Sequence, residues 1–144
     1  DRLAEAAIHL DHEIVVNIQG DEALVNPDHI DAATELLISD PGASIGLLVT
    51  PYSKRNSPSD IKVVVSLSGD VLYLSRTDIP SGSRVSEPPL LRAYHSVPFR
   101  RDFLLKYASL EKGHLERIEK NEYLRVLEHG YRIVTATVET AAIS

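Results

Sequence analysis

The chain has 144 residues, 43% of them hydrophobic, enough for one domain with a real core. A formal net charge of -6 and a pI near 5.5 argue against a protein that coats nucleic acid or an anionic membrane. Cysteine is absent, which excludes disulfides, thiolate zinc sites and cysteine nucleophiles and fits a cytoplasmic location, and no apolar run approaches the length of a membrane span.

The first ten residues lack the basic-then-apolar pattern of a signal peptide. They place Leu3, Ala6, Ala7 and Leu10 on one helical face, with Asp1 as cap. Ile14 to Ile18 is a short, β-branched apolar run and reads as a buried strand of a parallel sheet. Gly20-Asp21-Glu22 ends it at once. Ligands of open α/β sheets bind just past strand ends, so Asp21 has two readings. It is a carboxylate for Mg²⁺ carrying nucleotide phosphate, or part of a polar turn before the next helix.

Asn26-Pro27-Asp28 opens a helix: Asn26 caps, Pro27 fits the first turn, and Asp28 and Asp31 suit the positive end of the dipole. Ile30, Ala33, Leu36 and Leu37 form its buried stripe, and Asp40-Pro41-Gly42 ends it. Ser44 to Thr50 reads as a strand and Pro51 to Asp60 as a surface loop. Ile61 to Ser66 and Val71 to Ser75 form a β-hairpin around Gly69. Ile79 to Pro89 has the length of a lid or substrate loop. Leu90 to Phe99 is an irregular strand whose Pro98 calls for an edge or a bulge. A short helix over Arg100 to Leu110 follows. A longer one covers His114 to His129 with Gly130 as C-cap, and Tyr131 to Val138 closes as a strand. His9, His12 and His29 form no metal-binding spacing.

Six blocks occur in a telling order: Ile14-Val15-Val16-Asn17-Ile18-Gln19-Gly20-Asp21-Glu22, Lys62-Val63-Val64, Leu72-Tyr73-Leu74-Ser75-Arg76, Ile79-Pro80, Leu115-Glu116-Arg117-Ile118-Glu119 and Glu122-Tyr123-Leu124-Arg125-Val126-Leu127. Together they resemble the 3-deoxy-manno-octulosonate cytidylyltransferase (CMP-Kdo synthetase) family from Asp1 to about Glu139. The resemblance implies an α/β, Rossmann-like nucleotidyltransferase fold with a mixed sheet and a β-hairpin arm used in dimerisation. It implies transfer of CMP from CTP to a sugar acid with Mg²⁺, releasing pyrophosphate, in a homodimer.

By the same resemblance, Asp21 matches the metal-binding aspartate, and Gln19 a residue near nucleotide and sugar. Arg2 matches an arginine near the base. Arg76 matches an arginine whose two-pronged fork suits the sugar carboxylate, and Glu122 a sugar-pocket carboxylate. Read without the family, Arg76 and Glu122 are solvated ion pairs and Gln19 merely finishes a strand.

Some positions depart from the family pattern. The family's Arg-His-Leu-Gly-Ile-Tyr block reads Arg92-Ala93-Tyr94-His95-Ser96-Val97, so Ala93 replaces the pocket histidine and His95 stands two positions on, as a substitute imidazole. Its Glu-Gln-Leu-Arg block reads Glu122-Tyr123-Leu124-Arg125. The family's basic phosphate loop would precede Asp1, and its Gly-Val-Asp-Thr segment, with a second metal ligand, would follow Glu139. Methionine is absent even at position 1. The chain is therefore expected to be a partial domain, truncated at both ends and inactive alone. Three readings follow: a CMP-Kdo synthetase, a relative with a different sugar acid, and a catalytically silent paralogue serving in binding or dimerisation.

Overall fold

A computed structural model describes residues 2–20, 25–94 and 96–139. The elements are α1 (Arg2–Ala7), β1 (Ile14–Ile18), α2 (Pro27–Ser39), β2 (Ile45–Tyr52), β3 (Lys62–Val65) and β4 (Val71–Ser75). They continue as β5 (Leu90–Ala93), β6 (Ser96–Arg100), α3 (Arg101–Tyr107), α4 (His114–Glu119), α5 (Tyr123–Glu128) and β7 (Ile133–Thr137). The strands form one mixed sheet in the order β1-β6-β2-β5-β3-β4, with β7 also on β2. The β2–β7 pairing is parallel, from Ile45↔Ile133 to Val49↔Thr137; the other ladders are antiparallel.

β2 is the strand buried on both faces. Ile45, Leu47, Leu48 and Val49 are each no more than 1% exposed, and burying such a side chain contributes roughly 1.5–3 kcal/mol. Ile45, Leu47 and Val49 join the larger core with Ala4, Ala7, Phe103, Leu104 and Leu124 from the helices. The residues between them point to the opposite face, as strand alternation requires. There α2 lies so close that a Cβ on Gly46 would stand 3.3 Å from the Ala33 carbonyl. Leu37, Ala43 and Val134 make the smaller core on the α2 side.

β1 departs from expectation. It is half-buried, and among the described residues its ladder is antiparallel, to β6, from Ile14↔Arg100 to Ile18↔Ser96. A short apolar run cannot by itself report which neighbour will pair with it; the parallel, fully buried strand is β2. In α1 the buried residues are Ala4 and Ala7, while Ala6 faces solvent and Leu10 is exposed beyond the helix end at Ala7.

Local chemistry held better elsewhere. The Asn26 side chain accepts from the Asp28 amide at 2.9 Å, and Gly69 takes φ +90° in the hairpin turn. Its carbonyl then accepts from the Thr135 amide at 2.8 Å, docking the turn on β7.

The single strand expected over 90–99 is two, β5 and β6, which run successively along one edge of β2. Pro98 therefore sits inside the sheet, opposite Val16 of β1, and not at an edge. The long helix expected over His114–His129 is two helices. Lys120 takes φ +54° at the end of α4, and a non-glycine residue there breaks the helix without a sequence signal.

Gly46 is what allows both Pro98 and α2 to pack on β2. A Cβ there would meet the Pro98 ring at 2.7 Å. Gly46→Ala should lower stability by about 1–3 kcal/mol, the usual cost of overpacking. Chemical denaturation of the two proteins checks this; equal midpoints would mean that Pro98 and α2 have room to shift.

Candidate functional site

The site grows from a buried ammonium. Lys62, the first residue of β3, is fully buried. Its Nζ donates to the carbonyls of Ser57 at 2.7 Å, Asp60 at 2.8 Å and Arg76, with Asp78 at 3.7 Å. Three donors thus meet three main-chain acceptors, which is what keeps a buried charge tolerable. The knot ties the loop before β3 to the chain leaving β4. In that loop the Asp60 carboxylate accepts from the Tyr52 hydroxyl and from Ser57 Oγ at 2.7 Å. Those two bonds, Tyr52's first, hold the Asp60 carboxyl below its ordinary value against burial.

Arg76 leaves the knot toward α4. Its Nε donates to the Glu119 carbonyl at 2.9 Å, one Nη to Lys120 at 3.1 Å and the other to Pro58 at 3.0 Å. The Glu119 carboxylate returns the contact, accepting from Ser75 Oγ at 2.7 Å and the Arg76 amide at 3.1 Å. The fork thus caps the helix break, answering carbonyls of Glu119 and Lys120 that the end of α4 leaves without helical partners. The next link is a buried pair, Arg125 to Glu116, with both contacts at 2.6–2.7 Å and the guanidinium 4.5 Å above the Tyr107 ring.

Between these struts opens a cavity of about 550 Å³. Gln19 just past β1, Arg76 just past β4 and Glu122 at the start of α5 all line it, so three residues expected at the site come together. Ala93 and Tyr123, two of the positions departing from the family pattern, line it as well. Arg2 is exposed on α1 and does not line it. Asp21 and His95 lie outside the described residues. The loop over 81–87 is exposed and contributes nothing to the wall.

Sequence reasoning missed most of the polar wall. Arg92, Lys112, Arg117 and Lys120 join Arg76 as cations, facing the carboxylates of Asp60, Glu116 and Glu122. In a chain of net charge -6, a predominantly cationic cleft marks a place for an anion. Asp60 and Glu116 are engaged by protein partners, and among the described residues no group of three or more His, Asp or Glu is placed to hold a metal.

A mixed α/β sheet with a predominantly cationic cleft beside its strand ends defines an α/β protein built to receive an anionic ligand. The comparisons specify it further: residues 1–133 match the family model described as Cytidylyltransferase, and the chain belongs to that family. It is 41% identical to the 3-deoxy-manno-octulosonate cytidylyltransferase of Syntrophotalea carbinolica, over all of this chain and 62% of the relative. It is 35% identical to the 8-amino-3,8-dideoxy-manno-octulosonate cytidylyltransferase of Shewanella sediminis, over 94% of this chain and 58% of that one. The solved structure of CMP:2-keto-3-deoxy-manno-octonic acid synthetase complexed with CTP superposes with a TM-score of 0.92 at 31% identity. That match covers 97% of this chain and 59% of the other. The chain thus spans about three fifths of the length of the relatives it matches.

The α4 strut has a pH signature. Burial pushes the Glu119 carboxyl up, but hydrogen bonds from Ser75, the Arg76 amide and Tyr73 outweigh it and leave the group below its ordinary value. A depressed carboxyl binds fewer protons folded than unfolded, so its contribution is present above the unfolded pKa and is lost as pH falls through the folded one. Asp60 has the same sign. The urea midpoint should therefore fall between about pH 5 and about pH 3, and fall less steeply in Glu119→Gln. Identical slopes would show that Glu119 carries no net charge-dependent stabilisation.

Proposed function

We propose that the complete protein transfers CMP from CTP to the anomeric hydroxyl of a Kdo-type sugar acid and releases pyrophosphate. The observation that carries this is the cationic cavity lined by Gln19, Arg76 and Glu122 in a chain of the cytidylyltransferase family. The sugar hydroxyl attacks the α-phosphorus in line. The new O–P bond forms as the bond to the bridging oxygen breaks, the hydroxyl proton leaves to solvent, and pyrophosphate departs. Most of the catalysis is then positioning and charge neutralisation.

The chain's own residues divide that work. The Gln19 amide both donates and accepts, which suits orienting the nucleotide and sugar. Glu122, exposed at the cavity mouth, accepts hydrogen bonds from sugar hydroxyls. Arg76, Lys112, Arg117 and Lys120 supply positive potential where anionic substrates meet. Arg2 is retained as a contact near the base, and His95 as the imidazole offered on the sugar side.

Mg²⁺ fits the donor set in a limited way. Asp60 and Glu116 are engaged, so the ligand on offer is Asp21, two residues beyond cavity-lining Gln19. One carboxylate plus substrate phosphates is an ordinary Mg²⁺ environment. When bound there, the ion would neutralise charge on the triphosphate.

The same reading includes a homodimer in the cytoplasm. Leu67 at the hairpin turn and Leu72 on β4, the last strand in the sheet order, are large apolar side chains left exposed. Such an edge needs a partner or a cover. A second acceptor reading, a sugar acid other than Kdo such as an amino-substituted one, is favoured by Ala93 and Tyr123 both lining the cavity.

The test is pyrophosphate release by the complete protein with CTP, Mg²⁺ and a panel of Kdo-type sugar acids. Turnover with at least one acid is expected, and turnover with none would end the proposal in favour of a silent paralogue. In the same assay Asp21→Asn should lose on the order of a hundredfold or more in Mg²⁺-dependent turnover, as for loss of a main electrostatic stabiliser. Near-normal turnover would remove Asp21 from the metal site.

A further inference from the structure

We propose that Arg92 anchors the acceptor's carboxylate, and that Arg76 beside it is a structural strut. The inference rests on the sugar-acid reading above and deepens it. Two guanidinium groups from the sheet line the cavity, and they are in opposite states. Arg76 donates from Nε and both terminal nitrogens to three main-chain carbonyls. Turning to a ligand would require it to abandon the end of α4 and the Pro58 carbonyl.

Arg92 is unspent. The other arginines that are at least partly buried, Arg55, Arg76, Arg100, Arg101 and Arg125, each donate at least one hydrogen bond. Arg92 donates none among the described residues, and its Nε is buried without a partner. A guanidinium offers five N–H donors, and leaving them idle away from water is costly. Among the described residues its charge partner is Asp60, 3.5 Å from Nη1 and too long for a good hydrogen bond.

It is nonetheless held in place. The guanidinium lies 5.5 Å over the Tyr52 ring, and the Tyr52 hydroxyl is bonded to Asp60. Asp60 sits in the loop pinned by Lys62 through the Ser57 and Asp60 carbonyls. A fork fixed from behind, with free donors and 31% of its side chain exposed, is an arrangement suited to a planar, doubly accepting anion. The acceptor's carboxylate is the planar anion of the proposed reaction, while the phosphates of CTP are tetrahedral.

The test compares the complete enzyme with its Arg92→Gln, Arg92→Lys and Arg76→Lys variants. The readouts are KM for the sugar acid, KM for CTP, and the ratio of kcat/KM for the acid over its carboxamide. Arg92→Gln should raise the acid's KM on the order of tenfold to a hundredfold, the worth of charged hydrogen bonds. It should leave the KM for CTP nearly unchanged, and preference for the acid over the carboxamide should collapse. Arg92→Lys keeps the charge near Tyr52 and Asp60 but loses the fork; it should lie between and carries the test if Arg92→Gln does not fold. Arg76→Lys should lower the melting temperature yet keep the acid-over-carboxamide preference. Retained preference in both Arg92 variants, or its loss in Arg76→Lys alone, overturns the assignment. Arg92 variants that use the sugar acid as the unaltered enzyme does refute this inference only; an unaltered enzyme that uses none refutes the function as well.

Discussion

The cavity wall depends on one buried charge. Lys62 gives its three N–H groups to the carbonyls of Ser57, Asp60 and Arg76. These acceptors come from the loop before β3 and the residue after β4, so a single ammonium closes the open end of the hairpin. An ammonium buried this far is stable only when every donor is answered, and the chain answers with backbone. Asp60 then stands beside Arg92, and Arg76 is aimed at the end of α4. Each side chain of the polar wall is set by the one before it.

That order of dependence explains how an acidic protein makes a cationic cleft. Most of the negative groups around the cavity are engaged, Asp60 by Tyr52 and Ser57, Glu116 by Arg125, and nearby Glu119 by Ser75 and the Arg76 amide, while Glu122 stays exposed. The remaining positive charge faces the opening. A cytidylyltransferase acting on a sugar acid would bring together two anions that repel each other, and a fixed positive field lowers that repulsion before any bond changes. Rigidity matters as much as sign, because a donor already in place need not reorganise during the reaction.

Much of the frame was legible in the sequence where the signal was local. Asn26-Pro27-Asp28 specified the start of α2, and Gly69 specified the hairpin, because caps and turns are made by neighbours in the chain. Signals that depend on distant residues were not legible. Pro98 argued for an edge, yet it sits inside the sheet because Gly46, more than fifty positions earlier, has no Cβ. The helix expected over 114–129 runs through Lys120, yet it breaks there, and the Arg76 fork takes the carbonyls of Glu119 and Lys120 at the break. The run in β1 could not reveal that its partner is β6. In the site, family blocks pointed to Gln19, Arg76 and Glu122, which do meet. They contained Lys62 and Arg92 without giving either a role and did not reach Tyr52 and Asp60, all of which are ordinary polar residues until the sheet brings them together. Arg76 shows the limit most clearly: its place was legible and its three carbonyl partners were not.

The most direct measurement of the central claim is hydrogen exchange on the complete protein and its Lys62→Met variant, under conditions where both are folded. Methionine preserves the length and burial of the side chain but leaves three carbonyls without a donor, at a cost of about 3–5 kcal/mol for a broken buried charge contact. Protection should fall in the segments around 57–62 and 75–78 and at the end of α4, while β2 and β7 remain protected. Unchanged exchange in those segments would contradict the account, since the wall would then stand without the ammonium said to hold it.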